Sequence, residues 1–179
     1  MYRKFFKRFF DFILSLFALI VLSPILLILS VLVLCNMGAP IFFKQKRVGK
    51  DEKIFTMYKF RTMRMQEPGE EKKGWTVKDD PRVTKVGKFL RKTSIDELPQ
   101  LFNILKGDMS LIGPRPERPE IIKQYQEEMP EFTFRTKVKA GLAGYAQVYG
   151  KYNTTPYDKL KLDLFYIENY TILYKGGIG

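Results

Sequence analysis

The longest pattern in the chain is an apolar segment near the N-terminus. Phe12 to Cys35 contains twenty-four residues without a charge, enough for a helix to cross the roughly 30 Å hydrocarbon core of a bilayer. The preceding residues, MYRKFFKRFFDF, mix basic side chains with phenylalanine and predict an amphipathic helix at a membrane surface. A signal peptide is the competing interpretation, but the apolar run is too long for one and no convincing cleavage site follows. The pattern predicts a membrane-associated element over residues 1–36.

Within this segment, Ser23-Pro24 interrupts the apolar pattern. Proline removes a helical hydrogen bond, and a neighbouring serine can satisfy the carbonyl that is freed. Basic residues flank both ends, Arg3 to Arg8 before the segment and Lys44 to Lys53 after it, and such flanks prefer the cytoplasm. A re-entrant helix-break-helix that enters and leaves on one face satisfies both flanks. A single spanning helix is the alternative, because spanning helices also contain prolines.

Shorter elements follow residue 36, and we assign residues 37–179 to a second domain. Residues 40–61 predict a β-hairpin whose turn is Gly49 to Glu52. Gln66 to Pro81 is polar and broken by proline and glycine, which predicts a mobile loop. Glycine-punctuated strands or turns are expected over residues 139–152. Helical spacing predicts short helices over residues 83–90, 98–105, 121–129 and 157–174.

Composition and charge exclude several classes of chemistry. The chain has no histidine, which removes serine-histidine and cysteine-histidine catalysis and histidine metal sites. A single cysteine, Cys35, permits neither an intrachain disulfide nor a cysteine zinc site. Of the net charge of +12, +9 lies in residues 1–65 around the apolar segment, which indicates anionic lipid before nucleic acid. The sequence also lacks a Walker loop, a G-x-G-x-x-G fingerprint and any nucleic-acid-binding motif.

The candidate chemistry lies in the stretch from Arg91 to Glu120. Ser94 and Glu97 have the spacing of a capping box, and leucines recur at helical intervals before Gly107. Asp96 and Glu97 are therefore expected in the first turn of a helix. Two carboxylates there can stay ionised and available to a divalent cation or a phosphorus centre. The alternative is that the acids only cap the helix.

The segment GPRPERPE, Gly113 to Glu120, predicts a stiff loop after that helix. Prolines on both sides of Arg115 fix the backbone and hold one guanidinium in place. A fixed arginine near two acids suits a phosphate-handling site, because the arginine binds phosphate oxygens and a metal on the carboxylates neutralises the remaining charge. Lys59 and Arg61, in YKFRTM, either bind phosphate or face anionic lipid.

Together these motifs resemble the bacterial sugar transferases, the monotopic phosphoglycosyl transferases that start glycan assembly on a polyprenol phosphate. The resemblance covers nearly the whole chain in order. It is carried by FFKQKRVG, FTMYKFRTM, DPRVTKVGKFLRKTSIDELPQLFNILKGDMSLIGPRPE and GLAGYAQV, with the basic start, Ser23-Pro24 and Asp163. It implies an α+β fold, mostly helical with a small β-hairpin element, on an N-terminal re-entrant helix-break-helix membrane anchor.

The activity implied by this resemblance is transfer of a sugar 1-phosphate from a UDP-sugar to undecaprenyl phosphate, with release of UMP and with Mg2+ as cofactor. Asp96 would be the nucleophile that carries a covalent phosphosugar. Glu97 would help to hold the metal or act on the incoming polyprenol phosphate, so both acids are expected metal ligands. Four basic residues are expected to bind phosphate groups: Arg91, Arg115, Lys59 and Arg61.

The implied location is the cytoplasmic face of the inner membrane, with monotopic attachment. The expected partners are the UDP-sugar, undecaprenyl phosphate and anionic lipids, and no nucleic acid. Two rival hypotheses stay open: a non-catalytic membrane module that binds anionic lipid, and a nucleotide-sugar transferase that attacks directly without a covalent intermediate. The sequence specifies neither the sugar, the glycan pathway nor the oligomeric state.

Overall fold

A computed structural model describes residues 5–65, 80–150 and 155–169. In chain order its elements are α1 (Phe6–Met37), β1 (Phe42–Val48), β2 (Ile54–Phe60), α2 (Lys85–Lys92), α3 (Gln100–Lys106), β3 (Met109–Ile112), α4 (Pro119–Glu128), β4 (Ala140–Ala143), α5 (Tyr145–Tyr149) and α6 (Pro156–Asn169). Three 3-10 turns lie among them, at Lys50–Glu52, Ile95–Glu97 and Pro130–Lys137. The described chain is mostly helical with a small antiparallel hairpin, as predicted. The loop predicted for residues 66–81 lies outside the described residues except for Asp80 and Pro81.

Helix α1 is apolar and packs against the rest of the protein along one stripe of its surface. Its 32 residues extend over about 48 Å. In the described part of the chain it is the one helix long and apolar enough to cross a membrane. The other faces expose many large apolar side chains, which suits contact with lipid. The buried stripe consists of Asp11, Ser15, Leu19, Leu29 and Val33.

The prediction of two helices separated by a break is not confirmed in that form, because α1 continues through Pro24. Proline has no N–H to donate to the carbonyl four residues earlier, which here belongs to Ile20. Ser23 Oγ donates to the Ile20 carbonyl at 2.8 Å. The serine hydroxyl thereby supplies a hydrogen bond to the carbonyl that the proline leaves without a donor, as predicted. The helix is continuous at the position where a break was predicted.

The N-terminal end of α1 is attached to the rest of the protein by polar contacts. Lys7 donates to Ser110 Oγ, and Arg8 donates to two carbonyls in the last turn of α3 at 2.5 and 2.7 Å. Asp11 accepts from Ser110 Oγ at 2.8 Å and from the Leu111 N–H at 3.1 Å. Two of the basic residues in the predicted membrane-surface helix, Lys7 and Arg8, thus bind groups of the protein itself.

The C-terminal end of α1 contacts the same domain. Arg61 is buried and donates to the carbonyls of Met37, Gly38 and Ala39, where helical hydrogen bonds have ended. An apolar cluster lies beside this cap, formed by Leu29, Val33, Phe60 and Leu90. Both ends of α1 are therefore fixed to the globular part of the molecule.

Two small sheets support the candidate site. Strands β1 and β2 pair antiparallel, with Phe42 opposite Phe60, which confirms the predicted hairpin. Strands β3 and β4 pair in parallel, a pairing that the sequence did not predict. A side chain at position 141 would meet the Gly113 nitrogen at 2.1 Å, so glycine is required at Gly141. This close approach fixes the start of the loop that follows β3.

Candidate active site

The 3-10 turn Ile95–Glu97, strand β2 and the loop over residues 113–118 meet at a cleft of about 1190 Å³. Three acidic side chains line it: Asp96, Glu97 and Glu117. Basic residues outnumber them, namely Arg47, Lys59, Arg61, Arg64, Arg82, Arg91, Arg115 and Arg118. A cleft with this excess of positive charge suits a ligand that carries several phosphate oxygens.

Glu97 forms hydrogen bonds with two of the residues that were predicted to bind phosphate. Its Oε1 accepts from Lys59 Nζ and from Arg115 Nη2, each at 2.6 Å, and its Oε2 accepts from Arg115 Nη1 at 3.3 Å. Burial opposes ionisation of Glu97, but the hydrogen bonds and charges of Arg115 and Lys59 outweigh it and hold its pKa at about 2. Glu97 is therefore ionised at neutral pH and holds the lysine and the arginine together.

The neighbouring carboxylate, Asp96, has the opposite electrostatic environment. Its residue is 8% exposed. Burial raises the pKa of Asp96, the charge of Glu97 adds to the rise, and the charges of Lys59 and Arg91 oppose it. Two adjacent acids thus have pKa values that are moved apart, as is common where carboxylates have different chemical roles.

The prediction of a capping box at Ser94 and Glu97 is wrong. Ser94 has the left-handed φ of 56° and makes no side-chain cap, and Asp96 and Glu97 lie in a 3-10 turn rather than in the first turn of α3. The reason is Pro99, which has no N–H and is accepted only at the beginning of a helix, so α3 starts at Gln100. The predicted end is confirmed, since Gly107 has φ 95° and follows the last helical residue.

Lys59 is positioned by Asn103, a residue that no sequence pattern singles out. Asn103 is fully buried on α3, donates to the Thr56 carbonyl at 2.7 Å and accepts from the Tyr58 N–H at 3.1 Å. Its amide therefore pairs with the outer edge of β2 as another strand would. This contact fixes the backbone next to Lys59. No sequence motif marks such a role.

The loop that carries Arg115 is held by a buried ion-pair network. Glu117 accepts from Lys159 and lies 3.8 Å from Arg47 Nη1. Arg135 donates to the Arg115 carbonyl at 3.0 Å and pairs with Asp163 Oδ2 at 2.7 Å. The proline-rich sequence predicted a stiff loop. The network adds partners from the turn Pro130–Lys137 and from α6, which are distant in sequence.

The other two residues predicted to bind phosphate, Arg91 and Arg61, have different surroundings. Arg91 lines the cleft, and its Nε donates to Thr62 Oγ1 at 2.8 Å. The guanidinium of Arg61 instead caps the C-terminus of α1 through three carbonyls. The structure therefore favours a structural role for Arg61, in place of the phosphate binding that its motif suggested.

Asp96 and Glu97 are the residues predicted to hold a metal ion, and both line the cleft. Among residues 5–65, 80–150 and 155–169, no group of three or more acidic or cysteine side chains could hold a metal ion. Magnesium is commonly bound by one or two carboxylates together with substrate phosphates and water. Two adjacent carboxylates are compatible with this kind of site, although Lys59 and Arg115 already occupy much of the hydrogen-bonding capacity of Glu97.

The fold and the cleft together define a membrane-associated protein with a cationic, acid-containing site. Residues 2–178 match the family model described as bacterial sugar transferase, so the chain belongs to that family of transferases. This confirms the resemblance inferred from the central motifs. The non-catalytic lipid-binding hypothesis loses its support, since the family is one of transferases and several matching relatives are named as transferases.

Three relatives illustrate the similarity. A UDP-N-acetylgalactosamine-undecaprenyl-phosphate N-acetylgalactosaminephosphotransferase of Aeromonas hydrophila is 42% identical over 94% of this chain and 40% of its own length. The uncharacterized sugar transferase EpsL of Bacillus subtilis is 42% identical over 92% of this chain and 79% of its own. A UDP-glucose:undecaprenyl-phosphate glucose-1-phosphate transferase of Klebsiella pneumoniae is 43% identical over 93% of this chain and 37% of its own length. The matched part is well under half of two of these relatives.

Proposed function

We propose that this protein transfers a sugar 1-phosphate from a UDP-sugar to undecaprenyl phosphate and releases UMP, as the first membrane step of glycan or polysaccharide assembly. The observation that carries the proposal is the pairing of Asp96, buried with a raised pKa, with Glu97, held ionised by Lys59 and Arg115 in a cationic cleft. The names of relatives that use undecaprenyl phosphate support the acceptor. Those names specify different sugars, so the sugar is left to experiment.

In the first step, an oxygen of the Asp96 carboxylate attacks the phosphorus that bears the sugar. The new bond joins this oxygen to phosphorus, and the bond from phosphorus to the bridging oxygen breaks, so UMP leaves with the electron pair. In the second step, a phosphate oxygen of undecaprenyl phosphate attacks the same phosphorus. The bond to Asp96 breaks, which restores the carboxylate and gives a lipid-linked diphosphate sugar.

Glu97 prepares the site for the charge of the donor. With a pKa of about 2 it stays ionised throughout the physiological range, and it holds Lys59 and Arg115 by hydrogen bonds of 2.6 Å. Two cations held beforehand beside the nucleophile need little rearrangement to accept phosphate oxygens, and such preorganised charge stabilises the transition state. They also reduce the repulsion between the Asp96 carboxylate and a diphosphate.

Magnesium belongs to the proposal as a cofactor bound with the substrate. Asp96 and Glu97 would hold it, and when bound it would neutralise charge on the phosphate oxygens. Both Glu97 oxygens already accept hydrogen bonds from Lys59 or Arg115, so Glu97 has little remaining capacity for a metal. The protein residues alone would therefore bind Mg2+ weakly, and the donor would strengthen the binding.

The same proposal includes monotopic attachment at the cytoplasmic face of the inner membrane. A helix of about 48 Å that crossed the bilayer would bring only one of its ends to a domain on one side. Here Arg8 and Asp11 near one end and Met37 at the other contact the same domain. These contacts support the proposal that both ends of α1 lie on one side of the membrane, as the basic flanks suggest, with a continuous helix in place of the predicted helix-break-helix.

Thiol labelling in sealed vesicles tests the topology. Phe5→Cys and Lys50→Cys, each in a Cys35→Ser background, should react with an impermeant reagent from the same side. The matched control Leu27→Cys, exposed on the apolar face of α1, should be protected by lipid. Reaction of the first two variants from opposite sides would establish a spanning helix.

Release of UMP tests the reaction. UDP-glucose, UDP-galactose and UDP-N-acetylgalactosamine are each incubated with the protein, undecaprenyl phosphate and Mg2+, and at least one is expected to give UMP together with sugar-labelled lipid. Without the lipid, that donor should give a burst of UMP equal to the amount of protein. Turnover without a burst would support direct attack. Absence of UMP from the whole panel would contradict the proposed reaction.

A further inference from the structure

The end of β4 and the helix α5 contribute an uncharged corner to the charged cleft, formed by Leu142, Ala143 and Gln147. We propose that the uncharged corner binds the uracil base of the nucleotide donor, and that the side-chain amide of Gln147 forms the hydrogen bonds that recognise the base. This inference rests on the proposed function and names the part of the donor that these residues bind.

The uncharged corner is held against the loop that carries Arg115. The Gly113 N–H donates to the Ala143 carbonyl at 2.9 Å. A Cβ at Gly144 would lie 2.7 Å from the Gly113 oxygen and 3.5 Å from the Arg115 nitrogen, so the close approach requires glycine. The same Cβ would lie 3.0 Å from Gln147 Oε1. The amide of Gln147 therefore lies beside the start of the Arg115 loop.

Helix α5 directs Gln147 away from the aromatic contacts that hold the helix. Tyr145 and Tyr149 are four residues apart and share one face, with ring centroids 4.3 Å apart. Tyr145 also contacts the Phe165 ring of α6, with centroids at 5.3 Å. Gln147 is halfway between the two tyrosines in sequence and therefore lies on the opposite face of the helix. There it is exposed and lines the cleft.

Arg115 connects the uncharged corner to the acids. Its backbone nitrogen lies beside Gly144, while its Nη2 donates to Glu97 at 2.6 Å. The length of one arginine side chain therefore separates the corner from Glu97. A nucleoside has a comparable length between its base and its 5′ phosphate. A donor whose phosphates bind Arg115 can therefore place its base at the corner.

The other uncharged polar side chains of the cleft are less suited to recognise a base. Those that line the described cleft, besides Gln147, are Gln45, Thr62 and Ser94. Gln45 Oε1 accepts from Arg47 at 2.6 Å, and Thr62 Oγ1 accepts from Arg91 at 2.8 Å. Ser94 is two residues from Asp96, where the reacting phosphorus must lie. Gln147 therefore offers the amide that is best placed for a base.

An amide matches the hydrogen-bonding edge of uracil. Uracil presents an N–H donor at N3 between two carbonyl oxygens. The carbonyl of Gln147 can accept from this N–H while its NH2 group donates to a neighbouring uracil oxygen. Leu142 and Ala143 supply the apolar lining that is typical of ligand pockets. These contacts are the same before and during the reaction, so they should affect donor affinity more than the chemical step.

Binding of UMP and of its N3-methyl derivative tests this role, because methylation removes the N3 donor. Each nucleotide is titrated calorimetrically into the protein in detergent micelles with Mg2+. The parent should bind UMP about tenfold more tightly than the methylated nucleotide, the size expected for lost neutral hydrogen bonds. Gln147→Leu should bind UMP about tenfold more weakly than the parent and should not distinguish the two nucleotides.

Steady-state kinetics with the most active UDP-sugar of the panel give a second readout. Gln147→Leu should raise the KM for the donor by about tenfold and change kcat by less than about threefold. Gln124→Leu changes an exposed glutamine of α4 outside the cleft and is the matched control. It should alter neither the KM nor the preference for UMP.

Each outcome decides the role of Gln147. Loss of the preference for UMP in Gln147→Leu, with a raised KM, supports the inference. If that variant keeps the preference, or if the parent has none, the inference is wrong, and transfer by the parent leaves the proposed function intact. If the parent transfers nothing from any UDP-sugar, the proposed function fails. The two binding measurements then still decide whether Gln147 recognises uracil.

Discussion

Asp96→Asn is expected to reduce transfer by about a thousandfold or more, because the amide cannot form the bond to phosphorus that divides the reaction into two steps. The variant keeps the size of the side chain and its place in the 3-10 turn. The burst of UMP without lipid should disappear, and no phosphosugar should be found on the protein by intact mass. Unchanged activity would show that Asp96 is not the nucleophile.

The same variant should be more stable than the parent at neutral pH. Burial raises the pKa of Asp96 in the folded state above its unfolded value of about 3.9. The folded state therefore binds the proton more tightly, so the parent loses stability as the pH rises from the unfolded pKa through the folded one. The neutral amide of the variant carries no such penalty. The gain in thermal midpoint should be present at pH 7 and absent below about pH 4, which distinguishes lost chemistry from misfolding.

Asp163→Asn is expected to lower the free energy of unfolding by about 3 kcal/mol, since it removes one partner of a buried ion pair. Asp163 and Arg135 have side chains that are 1% and 3% exposed, and they pair at 2.7 Å. The remaining guanidinium would keep the Arg115 carbonyl at 3.0 Å, Glu117 at 4.0 Å and the Phe132 ring at 4.8 Å, which places the loss at the lower end of the range for such pairs. A fall in thermal midpoint of about 10 °C would measure it.

Two comparisons show whether the loss comes from an unpaired buried charge. Arg135→Met combined with Asp163→Leu removes both charges, and we expect it to recover most of the stability. Asp158→Asn changes an exposed carboxylate on the same helix and should shift the midpoint little. If the double variant is as unstable as Asp163→Asn, the lost packing rather than the uncompensated charge is responsible. Because Arg135 also holds the Arg115 carbonyl, activity should fall with stability in the single variant.

Much of the fold follows from local sequence rules. The hairpin over residues 42–60 follows from alternating aromatic and β-branched residues, and the end of α3 follows from Gly107. The start of α3 was misjudged because Ser94 and Glu97 satisfy a spacing rule that Pro99 overrides. The proline was visible in the sequence and has no N–H. It therefore decides where α3 begins, against the capping pattern.

The sequence by itself determined the membrane element, the absence of histidine chemistry and the Asp96-Glu97 pair, because runs, composition and adjacent residues are local properties. Tertiary structure decided the rest. It brings Lys59 and Arg115 to the carboxylate of Glu97 and pairs β3 with β4. It also places the Arg61 guanidinium at the C-terminus of α1 and attaches both ends of that helix to one domain. These outcomes depend on which distant segments become neighbours. Packing decides that, and it also gives two adjacent carboxylates opposite pKa shifts.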